Sequence, residues 1–359
     1  MTVDELVAPV LPARLLHDGP APLPAPRGDV SAALLDALVR NPGHSLDLRH
    51  LGWSGDDADA CADEDLQLSL WLAYELHYRG LAGVDERWEW HPELLWARAR
   101  WEDRLLAGLQ LAVPPTEPGP DPVADVVEGL VALAEADGGP SMSKYVVRDA
   151  TVDQLREFLV HRSLYHLKEA DPHSWAIPRL SGAAKGALVT IQADEYGGGV
   201  PAAMHAQLYR TLLASWGLET AYGAYLDQVP GVTLLGTNVI SLFGLHRRWR
   251  GALIGHLTAY EMSSSTPNAR YARGHRRLGG DEVAALFFDE HVVADAVHEQ
   301  IALHDLAGGL ARVEPQLAPD ILFGARCAAY VDGLAATHVL GCWEAGVTSL
   351  RTGSRAIAA

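Results

Sequence analysis

Apolar residues recur along most of this chain at spacings of three and four with polar residues between them, a periodicity that predicts helices. SAALLDALVRN opens on Ser31 as a helix cap and breaks before Pro42-Gly43. EDLQLSLWLAYELHYRGLAG, from Glu64, and HPELLWARARWEDRLLAGLQLA, from His91, read as a helical hairpin. Further on, VADVVEGLVALAEA is a short helix, and Thr151 with Gln154 forms a capping box for TVDQLREFLVHRSLYHLKEA, which ends in Glu169. SGAAKGALVTIQADEY stops at Gly197-Gly198-Gly199, and Pro201 starts PAAMHAQLYRTLLASW. The long apolar stretch GVTLLGTNVISLFGLHRRWRGALIGHLTAYEMSSS is expected to kink near Gly244 or Gly251 and to end before Pro267. FFDEHVVADAVHEQIALHD, Phe287 to Asp305, should stop at Gly308-Gly309, and LAPDILFGARCAAYVDGLAATHVLGCWEAG closes the chain as one more helix. No stretch alternates with period two between hairpin turns, so the fold class is all-α.

Proline divides the chain. Six prolines before residue 28 favour an extended lead over 1–28, and five in the nine residues 114–122 cannot continue a helix. The expected organisation is therefore a proline-rich lead (1–28), a helical extension (29–113), a proline-rich linker (114–122) and a main helical domain (123–359).

Composition then narrows the setting. At 359 residues and 48% hydrophobic the chain can bury a large core. A formal charge of −18 argues against a surface that tracks phosphates, so nucleic acid is not an expected partner. Cys61, Cys327 and Cys342 are too few and too far apart for a disulfide framework or a thiolate metal site. The N-terminus lacks a basic segment followed by an unbroken apolar one, and no run of about 18 apolar residues occurs, so the expectation is a cytoplasmic protein without membrane spans. There is no G-x-G-x-x-G after a strand, P-loop, H-E-x-x-H or G-x-S-x-G.

The candidate chemistry starts at His291, Asp295 and His298. At i, i+4 and i+7 on a helix, these side chains fall within roughly 60° of one another, so one face carries three metal-type ligands. With sixteen histidines in the chain, chance is the competing account. Upstream, Glu169, Glu195, His205 and Glu261 stand in apolar helical context on separate segments. Glu261, flanked by Ala259, Tyr260 and Met262, is costly to bury unless paired or bound. Bundle metal sites draw ligands from several facing helices in this way. Glu75 and His77, at i and i+2, point to different faces and read as structural. Arg162, Arg179, Arg247 and Arg248 are candidates to neutralise a substrate carboxylate, each against the simpler role of a surface or capping arginine. Trp175, Tyr165 and Tyr196 are pocket or core aromatics.

Taken in order, Glu169, Glu195, His205, Glu261 and the terminal His291-x-x-x-Asp295-x-x-His298 resemble the ligand series of the haem-oxygenase-like di-iron oxidases and oxygenases, the iron-containing redox enzymes, and in particular their actinobacterial branch. HRSLYHLKEADPHSWAIPRL, IQADEYGGG and FGLHRRWRGALIGHLTAYEM strengthen the resemblance, which covers roughly 125–350. It implies a haem-oxygenase-like helical bundle without haem. It also implies two irons held by those seven residues, with dioxygen as co-substrate and a small-molecule substrate that is N-oxygenated (an amino acid or amine) or cleaved oxidatively at a C–C bond. Three imidazoles and four carboxylates suit iron better than zinc or calcium. An external electron donor and a homodimeric assembly are compatible with this expectation. Glu169 and His205 are expected around one iron with one member of the terminal triplet, and Glu261, His291 and Asp295 around the other. The glycine run before Pro201 requires a helix break to bring His205 back to Glu195. The alternatives are a helical iron-binding protein, a cofactorless enzyme of the same fold, and a haem enzyme with His161 or His166 as proximal ligand.

Overall fold

A computed structural model describes residues 19–43, 59–117, 119–136 and 139–351; most of the proline-rich lead lies outside them. Among the described residues there is no strand, only an isolated parallel bridge between Ala21 and Leu81. The helices needed below are α1 (Asp29–Leu38), α2 (Glu64–Glu75), α3 (Pro92–Ala112), α4 (Pro122–Glu135), α5 (Met142–Arg148), α6 (Val152–His166), α7 (Asp171–Ser174), α8 (Gly182–Glu195), α9 (His205–Ser215), α10 (Gly231–Leu245), α11 (Arg250–Arg277), α12 (Glu282–Gln300), α13 (Gly308–Val313) and α14 (Ala318–Glu344).

At the centre lies α11, packed along both α12 and α14. Small residues make the second contact close. A Cβ built on Gly255 would stand 1.8 Å from the Ile321 carbonyl oxygen, and one on Gly324 would stand 1.9 Å from that of Ala252, so the two helices meet backbone to backbone. The core around them is one contiguous cluster to which α1, α2 and α3 also contribute, through Leu34, Trp71 and Leu105 among others.

Two helix boundaries differ from the expected ones. Gly244 does mark the end of α10, where a three-residue turn (Arg247–Trp249) leads into α11. But α11 runs through Pro267 rather than ending before it. Proline removes one backbone donor, and the polar residues around it re-use neighbouring carbonyls: Asn268 Nδ2 donates to the Ser264 carbonyl at 3.1 Å. Similarly, α12 does not stop at Gly308-Gly309. It passes into a π-helical turn (Ile301–Ala307) and on into α13, with Gly308 and Gly309 buried as helical residues. A small residue in a packed helix is a site of close contact as readily as a stop signal.

Other expectations hold. The capping box at α6 is present, with Thr151 N donating to Gln154 Oε1 at 2.9 Å and Gln154 N to Thr151 Oγ1 at 3.2 Å. At α1 the cap comes from a distance: Ser31 lies one turn inside the helix, and Asp65 of α2 accepts from the amides of Val30 and Ser31 at 2.9 and 2.7 Å. Glu75 is a structural residue, accepting from Lys168 Nζ and from Tyr222 OH at 2.8 Å each. His77 likewise packs between Glu89 and Arg98. No helix among the described residues is long and apolar enough to cross a membrane.

Candidate metal centre

Five segments converge on the inside of the bundle. Beyond α6 the chain turns sharply at Ala170, a non-glycine residue with φ 71°, and this turn aims Glu169 inward. Gln192 of α8 fixes the turn by donating from Nε2 to the Ala170 carbonyl at 2.8 Å and to Ser174 Oγ at 2.7 Å, which ties α8, with Glu195 one turn further along, to the segment that carries Glu169. The glycine run then reverses the chain. Gly197 has φ 63°, and a Cβ there would stand 2.6 Å from Met204 N, so the chain folds back tightly and α9 opens on His205. The break required by the sequence thus returns His205 Nδ1 to within 3.0 Å of Glu195 Oε2. Glu261 comes from the middle of α11, and His291 and His298 come from one face of α12.

Six of the seven candidate ligands form two clusters in which the ligand atoms all lie within 4.8 Å of one another: Glu169, His205 and His291 in one, Glu195, Glu261 and His298 in the other. All six are buried. The seventh, Asp295, lies in α12, but its side chain is outside the described residues. The partition corrects one expectation, since His291 groups with Glu169 and His205, and Glu261 with Glu195 and His298. The reason is the pitch of α12: residues seven apart are about 10 Å apart along the axis, so the two histidines face different clusters.

Two of the three imidazoles, those of His291 and His298, are oriented by a second partner. His291 Nδ1 donates to the Phe287 carbonyl at 2.6 Å, leaving Nε2 toward Glu169 Oε1 at 3.7 Å. His166 Nδ1 donates to Glu169 Oε1 at 2.8 Å. Burial alone raises the Glu169 carboxyl, but His166 and His291 outweigh it and hold the group well below the usual carboxylate range. His298 Nε2 donates to Asp194 Oδ2 at 2.9 Å, while Nδ1 lies 3.3 Å from Glu261 Oε2. Burial lowers this imidazole, yet Glu261 and Asp194 raise it to about 9. At neutral pH it is therefore protonated on both nitrogens, and a metal cation competes with the proton at one of them. His205 is lowered by burial and raised by Glu195, with a net upward shift.

Asp194 was not among the sequence candidates. Its only signal was adjacency to Glu195, and nothing in sequence spacing shows that a half-exposed carboxylate of α8 reaches a histidine of α12. Glu169 Oε2 is buried without a hydrogen-bond partner, an arrangement costing about 1–3 kcal/mol unless something else satisfies it. An unpartnered carboxylate oxygen among three carboxylates and three imidazoles gathered in two clusters fits a divalent transition metal, and the mixed N/O set suits iron.

Residues 156–333 match the family of iron-containing redox enzymes. The chain belongs to that family. Its helical bundle is the haem-oxygenase-like fold, and an oxidative enzyme is the general role that follows. The match spans every candidate ligand from Glu169 to His298 and leaves α1 to α5 outside. The chain is also similar to the nitrosourea synthase of Streptomyces achromogenes subsp. streptozoticus, 29% identical over 147 residues. That is 41% of this chain and 31% of the relative, so the alignment spans about a third of the relative's length.

Proposed function

We propose that this protein is a non-haem di-iron oxidase or oxygenase that uses dioxygen to oxidise a small-molecule substrate, by N-oxygenation of an amino acid or amine or by oxidative C–C cleavage. The supporting observation is the convergence of six buried carboxylates and imidazoles into two clusters, four of whose members, Glu169, Glu195, Glu261 and His291, line one cavity of about 410 Å³. On this reading Glu169, His205 and His291 hold one iron, and Glu195, Glu261 and His298 the other, with Asp295 within a turn of His291 and His298. Bound ferrous iron would supply the reduction of dioxygen. The name of the nitrosourea-forming relative fits oxidation at nitrogen. We likewise carry as a proposal the division into a lead (1–28), a helical extension (29–113), a linker (114–122) and a catalytic domain (123–359).

The chain's own residues do the rest. His166 keeps Glu169 ionised and oriented, Phe287 sets the tautomer of His291, and Asp194 holds the ring of His298. Phe287, Tyr165, Leu257 and Ile240 give part of the cavity wall an apolar surface. A haem reading is disfavoured at His161, whose two ring nitrogens are engaged by Thr233 Oγ1 at 2.7 Å and Ser349 Oγ at 3.0 Å.

Anaerobic ferrous titration with metal analysis, followed by oxygen-electrode measurements against an amino-acid and fatty-acid panel, tests the reading. Two irons per chain and substrate-dependent oxygen uptake that His298→Ala abolishes are expected. Undiminished uptake in that variant, or a Soret band in the purified protein, overturns it. Two irons without substrate-gated uptake would indicate an iron-binding protein.

A further inference from the structure

The cavity that the two clusters face has a second polar end. Arg162 of α6 and Asp332 of α14 both line it, with Arg162 Nη1 3.5 Å from Asp332 Oδ1. Arg162 is surrounded by protein, yet 32% of its side chain remains accessible, and 42% of that of Asp332, so much of what they expose is cavity wall. Two phenols, Tyr260 and Tyr271, line the same cavity as Arg162 and Asp332. Of the four arginines singled out in the sequence, Arg162 alone lines the cavity. Arg179 caps the carbonyls of Gly244 and Leu245 at the end of α10.

Three properties of this end restrict what fits. It carries one positive and one negative charge side by side, so its complement has the opposite pair: a carboxylate next to a cation. The existing ion pair is long and lacks good hydrogen-bond geometry, so both partners have bonding capacity to share, and Arg offers a planar fork of donors suited to a carboxylate. The third property is distance. Arg162 and Glu169 are seven residues apart, about two helical turns or roughly 10 Å along the axis, with the edge-to-face rings of Tyr165 and Tyr260 between the two ends. A ligand held at one end reaches the other only through several bonds.

Resting on the proposed oxidative function of the site, we infer that the cavity is built for α-amino acids with an extended side chain. The α-carboxylate binds Arg162, the α-ammonium binds Asp332 with Tyr260, and the far end of the side chain, about four or more atoms beyond the α-carbon, lies at the carboxylate and imidazole clusters. Simple fatty acids and simple amines each engage only one half of the charged end and draw that partner away from the other without replacing it, so they gain less than a ligand that carries both charges.

The test uses metal-free protein, so it stands apart from iron binding and turnover. L-Norleucine, hexanoate, n-pentylamine and glycine are titrated by calorimetry or by ligand-observed NMR. The first carries both charges and a four-carbon side chain, the next two each delete one charge, and glycine deletes the chain. Expected is saturable norleucine binding, with each of the other three at least tenfold weaker, and at least a tenfold loss of norleucine affinity in Asp332→Asn and in Arg162→Gln. L-Lysine and L-arginine, run alongside, cover a requirement for a polar side-chain end. Hexanoate binding as tightly as norleucine, unchanged affinity in folded Asp332→Asn, or no binding by any of the three long amino acids overturns the inference. Because the ligand series is measured on the unmutated protein, a variant that fails to fold does not remove the test. Loss of ferrous binding with norleucine binding intact would instead count against the di-iron reading alone.

Discussion

Lys168 Nζ lies 2.8 Å from Glu75 Oε2, and both side chains are almost wholly buried. The pair joins α2, outside the matched family region, to the residue immediately before Glu169, and Tyr222 OH donates to the same carboxylate oxygen. The Lys168 ammonium also sits 4.0 Å above the Tyr78 ring. The turn that presents Glu169 is thus braced from the N-terminal helices. Glu75→Ala leaves a buried ammonium without its counter-ion and should destabilise the protein by about 3–5 kcal/mol, read as a lower midpoint in urea unfolding. The double replacement Glu75→Leu with Lys168→Met should recover much of that loss, because no uncompensated charge remains.

Asp194 supplies a second prediction. It orients His298 from the half-exposed side of α8, so Asp194→Ala should leave the fold intact. Ferrous affinity at the Glu195, Glu261 and His298 cluster should fall by about 10- to 100-fold. Thermal melting and metal titration measured on one sample separate the two effects.

The backbone contact between α11 and α14 leaves no room for a methyl group. Gly255→Ala and Gly324→Ala each place Cβ within 2 Å of a carbonyl oxygen of the facing helix, and relief requires moving a central helix. A cost of about 3 kcal/mol or more is expected. Loss of soluble expression or a large drop in melting temperature would show it, while Gly333→Ala, where a Cβ meets nothing within 4 Å, should be silent.

His161 makes the metal-free protein sensitive to acid. Burial lowers its pKa to about 3, against an ordinary value of 6.5. Because the folded-state value is the lower one, the unfolded chain takes up a proton first as pH falls through 6.5. Stability present above 6.5 is then lost toward the folded-state value. Between pH 6.5 and 5 the loss from this residue is about 2 kcal/mol. His161→Gln, which can still hydrogen-bond Thr233 and Ser349, should show a smaller loss over the same interval in urea titrations.

The periodicity of the sequence determined the all-α class, most of the helices and the capping box at Thr151, because these depend on neighbours within one or two turns. Residue type and order were also enough to single out Glu169, Glu195, His205, Glu261, His291 and His298, since an acid in an apolar helix is expensive wherever it folds. What depends on contacts between distant segments was decided only by the tertiary structure. The passage of α11 through Pro267 rests on Asn268 and on the helices packed against it, and the continuation of α12 past Gly308 rests on the π turn before it. The division of the ligands into two triads follows from how α6, α8, α9, α11 and α12 are placed around one another. So do the support of His298 by Asp194 and the meeting of Arg162 with Asp332, whose partners lie 104 and 170 residues apart in the chain. Spacing along one helix shows which side chains share a face; which face meets which is settled by packing.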